Sequence, residues 1–429
     1  MVSAGDILPL TIEKPAAGGR MIAHADRLVV LVSGAIPGEH VRAVVERVGK
    51  GVAYAVAVEI DEPSTDRRTA TVDLLCGGCL YAHIAYPRQV EIKSLVIVDA
   101  FARIGRVKLP AAVTVAPSPE EGYRMRARLH VRGPLAGFFR EDTHDVCDAR
   151  QTRQLLPATS DTLDRLVAAM HSLGIDGVRE IEVAENIDAS HRVVHLDSVT
   201  PIDAGSLDRL VAIEGLTGLS SVHGTRGDVQ VTDTLAVDAH PPISLRRHVL
   251  AFFQGNRYLL GQLVSHVVEQ VPPGSEVIDL YAGVGLFAVA AAAICGARVT
   301  AVEGDRVAAA DLAANAATAN GSIVAVHQSV EAFVASVRSV RFQPDRDPRD
   351  ESALTAIVDP PRTGMSREAL DGIIRLGARR IVYVSCDVAT LARDARRLVD
   401  SGYAIARADA FDLFPNTPHV ETVVVFQRI

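Results

Sequence analysis

The sequence contains no tryptophan, and aromatic residues make up only 4% of its 429 positions. Few side chains are therefore available on which unstacked bases could rest. Cysteine is scarce as well, with five copies. Met1 to Leu10 carries Asp6 and no basic stretch, so neither a secretory leader nor a disulfide framework is expected, and the cytoplasm is the default location. The longest apolar run, Leu286 to Ala297, is about a dozen residues, whereas a bilayer span needs roughly twenty. No membrane partner is expected. Disorder is excluded by a hydrophobic fraction of 48% beside 22% charged residues. The length exceeds what one core organises and predicts two or three domains.

A net charge of −8 stands against nucleic-acid binding, but the charge is unevenly spread. Residues 1–160 hold 20 Lys and Arg against 18 Asp and Glu, which leaves 24 against 34 for residues 161–429. The front is slightly basic and the back acidic. Arg124, Arg126 and Arg128 alternate, and on a strand they share one face. A solvated strand face is one reading, and a strip that contacts phosphates is the other.

Residues 7–60 contain short β-branched runs, at 28–32, 41–48 and 53–58, punctuated by glycine, as in a small barrel. Residues 61–245 are mixed. Helical periodicity marks 86–104 and 160–173, and extended segments fall at 124–131, 181–183 and 193–196. From 246 the order becomes strand, glycine turn, helix, strand, helix, the pattern of a doubly wound α/β sheet with central strands at 277–281, 299–303, 356–359 and 381–385. Residues 337–352 read as a solvated loop.

Gly283 and Gly285 lie in the turn after the first of these strands, where small residues let a ligand approach free helix amides. Glu303 ends the next strand and can accept both hydroxyls of a ribose. Together with Ala288 the glycines also satisfy a dinucleotide fingerprint, so an oxidoreductase is a competing reading. The acidic Asp279 tilts the balance, since it welcomes a cationic amine rather than a pyrophosphate. Downstream, DPPRTG (359–364) and VSCD (384–387) end strands, where open α/β sheets build their sites, and FPNTPHVE follows at 414–421. Cys386 is a candidate nucleophile, whereas Cys295, in an apolar helix, reads as core.

With GAIPGEHV (34–41), YRMRARLHV (123–131), GFFREDTHDV (137–146) and FFQGN (252–256), these segments resemble the S-adenosylmethionine-dependent RNA uracil-5-methyltransferases that act on ribosomal and transfer RNA. The resemblance implies an α/β fold: a class I Rossmann-like methyltransferase domain over 246–429, an OB-like TRAM β-barrel for RNA binding over 1–60, and an α+β central domain over 61–245. It implies S-adenosyl-L-methionine as cofactor and an RNA partner, ribosomal RNA of the large subunit ahead of transfer RNA, with no obligate protein partner. In its terms Cys386 adds to uracil C6 and Glu421 is the general base that removes the C5 proton. Gln254, Tyr281, Gly283, Gly285, Glu303 and Asp359 line the cofactor and uracil pocket. Arg362 is expected near Cys386, favouring its thiolate.

The sequence departs from the family at two places, of which the smaller is Leu286, where relatives often carry a polar residue that makes one cofactor contact. Many relatives hold an iron–sulfur cluster through four cysteines, three of them written C-x5-C-G-G-C. Here Cys76 and Cys79 remain, but Ala70 and Thr152 occupy the other two positions, and Cys147 lies five residues early. The pair is read first as a relic of the cluster turn, with no metal expected, and an intact cluster is the second reading.

Overall fold

The computed structural model describes residues 2–238, 240–319, 321–337 and 354–429. Most of the expected solvated loop, residues 338–352, lies outside them.

Six strands between Ile7 and Glu62 form the first sheet, which curls until Ile7–Thr11 lies alongside Met21–Ala25. Alternation explains it: in His40–Gly49, Val41, Ala43 and Val45 point inward and their neighbours outward. The core beneath also takes in Tyr81, Ile84 and Ile92, from beyond the expected boundary at residue 60. Buried Glu39 closes the junction, because its carboxylate accepts from the amides of Ile36 and Ser64 and from Arg67.

A seven-stranded sheet spans Arg126 to Gly227. Its edge hairpin aligns Cys147 opposite Phe138, while Cys76 bridges to Arg140. Both cysteines therefore lie along Leu135–Arg140, and they are joined in a disulfide. Sequence spacing had set Cys147 apart and pointed to no disulfide; the strand register brings it in.

The C-terminal half builds an eight-stranded sheet. Five parallel strands run in the order Ile323–His327, Arg298–Glu303, Glu276–Leu280, Thr355–Val358, Arg380–Ser385, and then antiparallel Glu421–Arg428 inserts beside Tyr403–Phe411. The parallel strands are nearly continuous apolar runs because helices cover both faces. Leu260–Val268, Leu286–Cys295 and Arg306–Ala317 pack on one face, with Val330–Ser336, Arg367–Leu376 and Val388–Asp400 on the other. The second face is completed from the middle of the chain by Ile97, Ala100 and Phe101, and Thr114–Ala116 extends the sheet by pairing with Tyr403–Phe411. Sheet membership thus crosses the expected division at 246. No described helix is long and apolar enough to cross a membrane.

A buried ionic network ties the hairpin Gln230–Leu235/Ile243–His248 to the seven-stranded sheet. Arg247 and Asp233 are both fully buried and 2.7 Å apart, and Arg247 also donates to the Glu185 carbonyl. Removing one partner strands the other charge in a medium that cannot solvate it. Asp233→Ala should therefore lower the unfolding free energy by about 3–5 kcal/mol in a urea titration, and a loss under about 1 kcal/mol would contradict this account.

Candidate active site

The site forms where the sheet reverses its winding, between the carboxyl ends of Glu276–Leu280 and Thr355–Val358. After Leu280 the backbone turns left-handed at Tyr281 (φ 61°), Gly283 (φ 55°) and Gly285 (φ 95°), and Gly285 caps the helix Leu286–Cys295. A Cβ on Gly285 would come within 2.8 Å of Leu312, so glycine is needed there for space as well as for φ. Glu303 locks this turn. One of its oxygens accepts from the Gly283 amide at 2.7 Å and the other from Asp305 at 2.6 Å, which leaves each with a free lone pair.

Asp279 lies fully buried beneath the turn, and apart from the approach of the Ala288 amide its oxygens have no hydrogen-bond partner. Burial, reinforced by nearby Asp359, holds its carboxyl well above the usual range. On the next strand Asp359 receives a 3.2 Å bond from Gln254, yet burial still pushes its pKa up to about 7. Glu421, at the start of its strand, is 2% exposed with Oε1 unpartnered, and burial followed by Asp359 raises it strongly against the pull of Arg362. Orphaned, buried acids at a glycine turn suit a ligand that carries positive charge and repel a pyrophosphate. This geometry disfavours the dinucleotide reading.

Cys386 occupies the corner between Arg380–Ser385 and the helix Val388–Asp400, whose N-cap is Asp387. Arg362 is brought to it by a turn that the Thr390 hydroxyl holds through the Arg362 carbonyl. As expected, Arg362 pulls the thiol down. Burial outweighs it, aided by Glu421 and Asp359, and pushes Cys386 up to about 12, so the free protein holds a thiol rather than the expected thiolate.

The alternating arginines form no open phosphate strip, and of the three only Arg128 is solvated, its side chain 56% exposed. Arg126 and Arg128 both bind Glu182 on the neighbouring strand, at 2.8 and 2.7 Å. Arg124 precedes the strand; it donates to Gln154 and stacks near Phe138 and Phe414. Sequence reasoning overlooked three residues. Phe252 is 62% exposed two positions before Gln254, with Arg126 over its ring. His419 is pushed down to about 4 by burial and by Arg362, and is therefore neutral. Asn256 donates to Ser118 and to the Leu413 carbonyl. Only the FFQGN pattern, with Phe253 buried and Phe252 outside, carried a signal.

The remaining cysteines do not suit an iron–sulfur cluster. Cys76 and Cys147 are bonded to each other, burial pushes Cys79 up to about 12, and the Thr152 hydroxyl is committed to the Ala149 carbonyl. Cys295 is partly buried at its helix end and donates to Val268.

A family profile described as tRNA (Uracil-5-)-methyltransferase matches residues 227–429. The chain is 32% identical to the 23S rRNA (uracil(1939)-C(5))-methyltransferase RlmD of Alkalilimnicola ehrlichii, over 96% of this chain and 94% of that protein. Identity to the protein of the same name from Methylococcus capsulatus is also 32%, with 97% and 96% covered. In fold it is similar to the tRNA (uracil-54, C5)-methyltransferase of Pyrococcus abyssi solved with S-adenosyl-L-homocysteine, with a TM-score of 0.72 and 22% identity over 97% and 99% of the two chains.

The raised carboxyls set a pH dependence. An acid protonated more readily in the folded state favours folding at low pH, and that contribution is lost as pH rises through its folded value. For Asp359 the window runs from 3.8 to about 7. The melting temperature of the free protein should fall across it, and Asp359→Asn should flatten part of the fall in scans between pH 5 and 7.5; an unchanged slope would contradict the raised value.

Proposed function

The chain belongs to the RNA uracil-5-methyltransferase family and uses S-adenosylmethionine, and we propose that it methylates C5 of a uridine in 23S ribosomal RNA. The observation that carries the substrate choice is the match to the 23S rRNA enzymes over nearly the whole of both chains. A cytoplasmic location follows from that substrate.

In this reading Asp279, Glu303, Asp359 and the turn at Tyr281, Gly283 and Gly285 hold the cofactor, and the orphaned carboxyl of Asp279 suits its amine. When bound, S-adenosylmethionine supplies an electrophilic methyl group. Uracil C5 is too weakly nucleophilic to use it unaided. Cys386 releases its proton to solvent and adds through Sγ to C6, and the electron pair of the C5–C6 bond passes into an enolate that is nucleophilic at C5. Once C5 carries the methyl group, Glu421 takes the remaining C5 proton, the double bond re-forms, and the bond from Sγ to C6 breaks to free the cysteine. Gln254, through its bond to Asp359, borders both the cofactor and uracil positions.

The Cys386 thiol and the Glu421 carboxyl must both ionise for this reaction, against the burial that chiefly holds each protonated, and a bound cation among these groups would ease both. The N-terminal sheet, residues 1–60 of a TRAM-like barrel, is assigned to RNA binding, and the central part over 61–245 joins it to the methyltransferase part over 246–429. The target base must leave its stack to reach the crevice, and exposed Phe252 offers a face for a neighbouring base.

Cys386→Ala should abolish turnover and keep the thermal shift given by S-adenosylhomocysteine, while NAD gives none. Residual methylation in that variant would refute the covalent route. Mapping of 5-methyluridine in cells lacking the gene should find it missing from 23S ribosomal RNA; loss from transfer RNA instead would overturn the substrate assignment.

A further inference from the structure

We propose that Asn416 is a positioning residue through which the N-terminal part of the chain sets the carboxyl of Glu421; the inference rests on the reading of Glu421 as the base. Phe411 pairs with Glu421 across two antiparallel strands, so residues 412–420 form their connection. One end of that connection is fixed by strand register. Its middle is fixed at Asn416, where the backbone is left-handed with φ of 64°.

Four hydrogen bonds converge on Asn416. Its side-chain oxygen accepts from Arg68 at 2.7 Å and from Gln89 at 2.9 Å. Its amide donates to Gln89 Oε1 at 2.9 Å, and its carbonyl accepts from the Tyr81 amide at 2.9 Å. All four reach residues 68–89, far from the methyltransferase segment in sequence. The flanking positions are held from the same side. Buried Lys93 makes a 2.5 Å ion pair with buried Asp412 and donates to the Phe414 carbonyl at 3.2 Å, and Gly19 of the first sheet packs so closely on Pro418 that a Cβ there would lie 2.9 Å from it.

Glu421 needs such a frame. It is buried and its Oε1 has no partner, so nothing bonded to that oxygen aims the carboxyl. Aim must come from the backbone, and a misplacement of about 1 Å at a reacting group can cost on the order of a hundredfold in rate. The step at risk is proton removal from C5, which follows adduct formation. A loosened connection should leave the protein bound covalently to its RNA.

Asn416→Gly is the test, because glycine keeps the left-handed backbone and removes the side chain with its two hydrogen bonds. With an RNA substrate and S-adenosylmethionine, turnover should fall about tenfold or more, in line with the cost of misalignment. The RNA KM and the S-adenosylhomocysteine thermal shift should stay near wild type, and a covalent protein–RNA band should build up on a denaturing gel. Asn416→Asp, which still accepts from Arg68 and Gln89, should restore most of the rate. Arg68→Met removes one donor without altering Asn416, and should shift the same readouts by less; it carries the test if Asn416→Gly melts early. Glu421→Gln serves as the reference. An adduct in Glu421→Gln but none in Asn416→Gly or Arg68→Met overturns the positioning role and leaves the base intact. Normal turnover in Glu421→Gln overturns both.

Discussion

Three carboxyls that cannot all ionise together stand at one end of the C-terminal sheet, and the chemistry of the site follows from that crowding. Burial raises all three, Asp359 adds to the rise at Asp279 and at Glu421, and Arg362 opposes it at Glu421. In a low-dielectric crevice such a cluster is least unfavourable when protonated or when a cation enters. Burial first, and then Glu421 and Asp359, keep the Cys386 thiol protonated in the free protein. Ligand charge and nucleophile are therefore coupled without any moving part, since whatever neutralises the carboxyls also lowers the cost of a thiolate beside them.

The sheet that carries the site is not made by its own half of the chain. Ile97, Ala100 and Phe101 fill one face, Thr114–Ala116 extends an edge, and residues 68–93 grip the connection before Glu421. Shared cores and buried polar bonds of this kind make the parts one mechanical unit, unlike linked domains that swing independently. The acidic half and the slightly basic half of the sequence meet at this junction, which is why the net charge of −8 described the whole chain and misdescribed its surfaces.

Legibility followed the range of the forces involved. Four of the five parallel strands could be read to within one residue because burial on both faces makes them mostly apolar, as where 277–281 was expected and Glu276–Leu280 is observed, whereas Ile323–His327 was not foreseen. The turn glycines were readable because φ favours both and space also demands Gly285. Cys386, Asp359 and Gln254 were readable through motif order, and they do lie at one sheet end. What sequence could not supply was pairing between distant segments. Arg126 and Arg128 looked free because Glu182, which pairs with both, lies more than fifty residues away. Cys147 looked misplaced because a hairpin register sets its neighbour. The Lys93–Asp412 pair, 319 positions apart, left no local trace at all.

The short strand Thr114–Ala116 has a consequence for how the molecule comes into being. Its partner positions begin at Asp409, about 295 residues later. At a synthesis rate of roughly 5–20 residues per second, the segment waits roughly 15–60 s on the ribosome before that neighbour exists. During this interval the apolar side of residues 97–115 is a naked surface on a growing chain. Nascent molecules crowded along one messenger can stick to each other through it. Bound by a chaperone until the far strands emerge, that surface is shielded, and its final burial also covers the sheet margin along Tyr403–Phe411 against edge-to-edge association.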